Sequence, residues 1–160
     1  MIDNFHRGRG YFLTNYYPAP IVSDGIVYPS VEHAYQAIKS LDQEQRRFIA
    51  KLESPADAKK YARRHVNLRP DWKQVKNEVM LRLLRLKFAP GSGMATLLLE
   101  TGFEVLVEGN DWHDNYWGVC RCERCRMTEI GHNVLGALLE QVRYDLRQAG
   151  IDGWGDEVEA

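Results

Sequence analysis

Pro29-Ser30-Val31-Glu32-His33-Ala34-Tyr35-Gln36-Ala37-Ile38-Lys39 is a helix by its spacing, and it sets Glu32, Tyr35, Gln36 and Lys39 at i, i+3, i+4 and i+7 on one stripe. Such a stripe ordinarily carries aliphatic side chains toward a core. Here it carries a carboxylate, a phenol, an amide and an amine. Ser30 is the natural N-cap, able to accept from the amide near His33. Two readings stand at this point. In one, Glu32 and Lys39 are solvated while Ala34, Ala37 and Ile38 face the core. In the other the polar groups gather in a site, where Lys39, walled off from water, gives up its charge and becomes a nucleophile for carbonyl-like carbon.

Outward from this helix the chain is expected to be α+β and predominantly helical, with a small N-terminal β portion. Short strands are read at Tyr11-Phe12-Leu13, at 19–22 and at 26–28, the last two joined as a hairpin through Ser23-Asp24-Gly25. Helices follow at about 42–52, at 55–65 with Ser54 as the cap and Pro55 at the first helical position, and at about 70–88, where Trp72, Val75, Val79, Leu83 and Leu86 recur near helical spacing. Another spans 92–100, then Phe103 to Glu108 alternates like a half-buried strand, and a last helix covers about 133–148.

The 160 residues, 44% hydrophobic and 27% charged, fit one compact domain over 1–150 with an acidic, unstructured tail over 151–160. No apolar run approaches the roughly 20 residues of a membrane span, and the N-terminus lacks a signal-peptide pattern, so the expected location is the cytoplasm. Net charge is −1, yet ten of the 21 Lys and Arg lie between Lys59 and Lys87, against Asp71 and Glu78 alone. That bias reads either as a phosphate-facing surface or as the solvated side of two helices.

Two further segments carry chemistry. Glu108 ends the alternating segment, and just beyond it Asn110-Asp111-Trp112-His113-Asp114-Asn115-Tyr116-Trp117-Gly118 packs aromatic walls beside acids, suited to stacking a base or sugar ring. The bland alternative is a loop whose aromatics pin it to the core. Cys120-Arg121-Cys122-Glu123-Arg124-Cys125 offers three thiolates at zinc-like spacing, with His113 or His132 as a fourth ligand; a reduced loop without metal is the alternative. Arg121, Arg124 and Arg126 between and beside them are suited to phosphates.

Taken in order, Tyr11 to Pro18, Ser30 to Lys39, Arg69-Pro70-Asp71-Trp72, Lys87-Phe88, Leu98 to Gly102, Leu106-Val107-Glu108, Asp114 to Gly118 and Gly131 to Gly136 resemble the NADAR family, also called YbiA-like proteins. The resemblance implies an N-glycosidase. Members are associated with removing ADP-ribose from guanine bases of nucleic acid, and with hydrolysing phosphoribosylamine intermediates of riboflavin synthesis. Both reactions cut a C–N bond at an anomeric carbon. For such a reaction the residues themselves supply a mechanism: a neutral Lys39 attacks that carbon of an opened ribose and holds it as a Schiff base until water releases it, Glu108 and Asp114 are the candidates for acid and base work, and Glu32 joins them or holds ribose hydroxyls. Asn15, Tyr17, Tyr35, Gln36, Trp72, Trp112, Trp117 and Asn133 shape the pocket, and Arg69 meets phosphate.

The chemistry so implied needs no cofactor; a structural zinc on Cys120, Cys122 and Cys125 is the one metal expectation. The expected partner is ADP-ribosylated guanine in nucleic acid, or a nucleotide-like small molecule, and not a membrane. Two alternatives remain. Paired carboxylates could activate water directly, with Lys39 an electrostatic clamp. The chain could also bind ADP-ribose or nucleic acid without cleaving it.

Overall fold

A computed structural model describes residues 1–128 and 130–150. The acidic tail expected over 151–160 lies outside the described residues. The fold is α+β and predominantly helical, and its residues group into two compact units, one formed by Asn15–Ala89 and one by Met1–Thr14 with residues 90–150.

The unit Asn15–Ala89 opens on the expected hairpin, in which β1 (Ile21–Ser23) pairs antiparallel with β2 (Ile26–Tyr28) and Ile21 faces Tyr28. Asp24 and Gly25 both take positive φ, at 51° and 72°, which is what a two-residue turn matching strand twist requires. Each strand buries its first and third residues and exposes the valine between. Asp24 also accepts from buried Arg46 at 3.0 Å, fastening the turn.

Four helices complete this unit: α1 (Val31–Ile38), α2 (Gln43–Ala50), α3 (Pro55–His65) and α4 (Trp72–Lys87). Ser30, Asp42 and Ser54 cap the first three through side-chain oxygens, satisfying orphan amides as their sequence positions predict. Helix α1 packs against α2, α3 and α4, and all eight of its residues are buried. Its polar stripe therefore cannot be a solvent face. On α4 the buried stripe is Trp72, Val79, Met80, Leu83, Leu84 and Lys87, so a lysine occupies a core position of this helix.

The other unit contains a 3-10 helix, Gly8–Leu13, where a strand was expected over Tyr11-Phe12-Leu13. The run closes locally, with Thr14 N donating to the Tyr11 carbonyl, and finds no strand partner among the described residues. Helices α5 (Gly93–Glu100) and α7 (Val134–Ala149) pack together, and Phe5, Leu13, Leu98, Leu106, Leu135, Leu139 and Val142 are buried. A second small sheet pairs β3 (Gly109–Asn110) and β4 (Val119–Cys120) in parallel, and α6 (Glu123–Thr128) follows.

The strand expected over Phe103 to Glu108 is reduced to one parallel bridge between Leu106 and Ile2. The alternation itself is present: Leu106 is buried while Phe103 and Val105 are exposed. Side chains from around α7 replace a neighbouring strand. Leu106 N donates to Glu140, the Leu106 carbonyl accepts from the Asn133 amide at 2.8 Å, and Glu108 N donates to Asn133 Oδ1 at 3.0 Å. This docking requires Gly136, because a Cβ there would run into the Leu106 carbonyl and the Asn133 amide. Gly136→Ala is expected to lower stability by about 1–3 kcal/mol, read as a fall in thermal midpoint. An unchanged midpoint would mean the segment yields freely. No helix among the described residues is long and apolar enough to cross a membrane.

Candidate active site

Helix α1 builds a row of three connected polar groups. Lys39 Nζ donates to Gln36 Oε1 at 2.8 Å, and Gln36 Nε2 donates to Glu32 Oε1 at 2.8 Å. Glu32 is 7% exposed and Gln36 3%. Lys39, at the C-terminal end of the helix, is half-buried and so remains reachable. The row exists because the three residues follow helical spacing and α1 is covered on every side.

Two aromatic rings wall the amine. Lys39 Nζ lies 5.2 Å from the Tyr35 ring centre and 5.8 Å from that of Trp72, and the two rings are 5.0 Å apart. Backbone bonds bring the indole there, since Arg69 N donates to the Lys39 carbonyl at 2.9 Å and Trp72 N to the Arg69 carbonyl at 3.1 Å. Burial holds the Lys39 amine below its ordinary pKa; the Glu32 carboxylate pulls against this and the Lys59 charge pushes with it. The site thus contains an amine whose pKa burial lowers and a carboxylate linked to it through one amide.

The remaining expected residues of this unit behave differently from one another. Asn15 is buried beside the start of α1, where its carbonyl accepts from Glu32 N, and its Oδ1 has no hydrogen-bond partner among the described residues. A buried acceptor left so costs on the order of 1–3 kcal/mol, which makes Asn15 an energetically expensive position beside the start of α1. Arg69, expected to meet phosphate, grips Asp71 instead, through Nε at 2.6 Å and Nη2 at 2.8 Å. A phosphate would have to compete with that carboxylate. Tyr17 lies with its ring centre 5.5 Å from Lys87 Nζ.

Lys87 is the ionisable group that sequence reasoning left unremarked as a titrating site. It is 3% exposed, and burial lowers its pKa to about 7. The signal was present: Lys87 stands at i+7 from Met80, i+4 from Leu83 and i+3 from Leu84, on the apolar stripe. His33 is likewise a buried core group: Nε2 donates to the Leu52 carbonyl at 3.1 Å, so Nδ1 accepts from the Ser30 hydroxyl at 2.8 Å.

Glu108, Asp114, Trp112, Trp117 and Asn133 belong to the other unit. Asp114 Oδ1 accepts from Tyr116 N at 3.1 Å and Trp117 N at 2.9 Å, so this carboxylate folds its own loop. Asn133 spends both ends of its amide on the backbone at 106 and 108, which makes it a docking residue in this state. Trp112 is about half exposed, with His6 edge-on at 4.8 Å, and Trp117 meets Tyr116 edge-on at 5.1 Å. Glu108 is half-buried. A cavity of about 430 Å³ lies among His113, Asn115, Tyr116, Ile130 and His132. Cys120, Cys122 and Cys125 gather with His113, and His132 is not part of that group.

Comparison with known proteins adds to this geometry. A family model described as the NADAR domain matches residues 4–147. The chain is 37% identical over 139 residues to N-glycosidase YbiA of Escherichia coli strain K12, covering 84% of this chain and 80% of that protein. It is 34% identical over 138 residues to a riboflavin biosynthesis protein of Vibrio vulnificus, covering 86% of this chain but 36% of the longer relative. The solution NMR structure of Escherichia coli YbiA superposes with a TM-score of 0.77 at 32% identity, covering 98% of this chain and 92% of that one.

Proposed function

The chain belongs to the NADAR family, and on that premise we propose that it is an N-glycosidase that breaks a ribosyl C–N bond through an imine at Lys39. The buried Lys39–Gln36–Glu32 row is the observation that carries this reading. A neutral amine attacks the anomeric carbon of the ribose, the C–N bond to the base breaks and the departing nitrogen takes up a proton; the ring C–O bond then opens, its oxygen taking the remaining amine proton, which leaves the imine of an open ribose that closes again after hydrolysis. Water then adds to the imine, returning the amine and releasing the ribosyl group with a hydroxyl at that carbon. Across the cycle one water is consumed, its proton leaving on the base. Glu32, whose charge acts on the amine and which is held in the row by Gln36, is the candidate carboxylate for taking up and returning the proton directly or through the attacking water. Glu108 keeps its place as a second candidate for acid and base work, and Glu108→Gln measures it.

ADP-ribose on guanine in nucleic acid is the favoured substrate. The basic side chains Lys59, Lys60, Arg63 and Arg64 are exposed on α3, in the same unit as Lys39, and suit a substrate rich in phosphate. Tyr35 and Trp72 wall the amine with apolar rings, the kind of surface against which a sugar or base stacks. A phosphoribosylamino-pyrimidine of riboflavin synthesis is the second substrate to test, because one relative bears the name of a riboflavin biosynthesis protein.

The experiment offers ADP-ribosyl-guanosine oligonucleotide and phosphoribosylamino-pyrimidine side by side to the purified protein and follows free base by mass. Faster release from the oligonucleotide, weakening with added salt, is the expected result. Release from neither would overturn the enzyme reading and leave a binding module.

One observation favours the clamp alternative: two aromatic faces and a carboxylate around Lys39 all favour an ammonium ion. The pH profile separates the two. In the imine reading the acidic limb of kcat/KM reports loss of the neutral amine, and Glu32→Gln, by removing the nearest negative charge, moves that limb to lower pH. Movement to higher pH would contradict it.

A further inference from the structure

We propose that His113, Cys120, Cys122 and Cys125 together hold one structural zinc ion, bound by three thiolates and one imidazole. The four ligand atoms all lie within 4.8 Å of one another. A tetrahedron with Zn–S bonds of about 2.3 Å has sulfur-to-sulfur edges of roughly 3.8 Å, so small side-chain adjustments would close the set around a metal. His113 Nδ1 is already 3.3 Å from Cys125 Sγ and 3.4 Å from Cys122 Sγ.

The convergence is built by the backbone. Cys120 ends β4, Cys122 precedes α6, Cys125 lies within α6, and His113 comes from the loop after β3. His113 adopts φ 67°, a left-handed conformation uncommon for a residue with a Cβ, and so a local cost that a ligand would offset. Asn110 Oδ1 holds the loop in that shape by accepting from Trp112 N at 3.3 Å and Asp114 N at 3.2 Å. Outer contacts of the kind that orient thiolates are in place as well. Cys125 N donates to Cys122 Sγ at 3.4 Å, and Cys120 N is fixed on Asn115 Oδ1 at 2.8 Å.

The donor set selects the ion and its role. Three soft thiolates and one imidazole in a compact group suit zinc, and four protein ligands leave no open position for water or substrate. The ion would staple residues 110–125, the stretch that carries Asp114, Tyr116 and Trp117. Its role is independent of the lysine chemistry.

Cobalt(II) titration of the full-length protein, reduced and treated beforehand with chelator, tests this directly. The expected result is a tetrahedral thiolate spectrum that saturates at one equivalent and is abolished by one equivalent of zinc. His113→Ala, which alters an exposed side chain, should lower cobalt affinity at least about 100-fold, more than an outer-sphere change would. Cys122→Ser should do the same, and chelator should lower the thermal midpoint of the unmutated protein only. A reduced, unmutated protein that develops no saturable tetrahedral spectrum overturns the proposal, whatever the variants do. So does unchanged affinity in His113→Ala.

Discussion

Lys39→Met should lose on the order of 10³-fold or more in base release, a barrier increase of about 4 kcal/mol, while still binding substrate. Methionine keeps the length and apolar contacts of the stem between Tyr35 and Trp72, and removes only the reacting nitrogen. Loss of rate with retained binding is the signature of a group that acts in the chemical step. Single-turnover release and equilibrium binding, measured on the same preparation, separate the two quantities. Equal loss of both would make Lys39 a binding contact, and unchanged release would remove it from the chemistry altogether.

Lys87→Met is expected to flatten the pH dependence of stability, removing a loss on the order of 4 kcal/mol that the unmutated protein suffers as pH falls from about 10 to about 7. The folded-state pKa of Lys87 is about 7, because burial disfavours its charged form, while an unfolded lysine titrates near 10.4. Above about pH 10.4 the group is neutral in both states and its titration no longer changes stability. As pH falls from there to about 7 the unfolded chain gains a proton that the folded chain refuses, so stability is lost across that window and then levels off. Denaturant unfolding of both proteins at intervals from pH 7 to 10 reads the difference. Curves that run parallel would show that Lys87 titrates normally in the fold. The same burial argues against Lys87 as the nucleophile: at 3% exposure it offers little access to a sugar carbon, whereas Lys39 is half-buried.

Much of the scaffold was legible because its signals are local. Ser30, Asp42, Ser54 and Ser92 each stand where a helix begins and each accepts a backbone amide there. Asp24-Gly25 fixed the hairpin by its need for positive φ. What failed depended on partners distant in sequence. Tyr11 to Leu13 carried strand-forming side chains with no strand beside it among the described residues, and Phe103 to Glu108 kept its alternation but bonded to Asn133 and Glu140 side chains beyond its one bridge to Ile2. The site followed the same division. Helical spacing put Glu32, Gln36 and Lys39 in one row, yet only the packing of α2, α3 and α4 decided that the row is buried. His113 and His132 were equal candidates by sequence for the cysteine group, and the loop held by Asn110 favours His113. Arg69 read as free to meet phosphate because its grip on Asp71, two residues away, leaves no periodic trace.

Borohydride trapping during turnover of ADP-ribosyl-guanosine oligonucleotide tests the imine at Lys39 most directly. Reduction should add the mass of the ribosyl fragment to the protein, and peptide mapping should locate it on Lys39. Full turnover with the protein mass unchanged, or an adduct carried by Lys87 instead, would contradict the account.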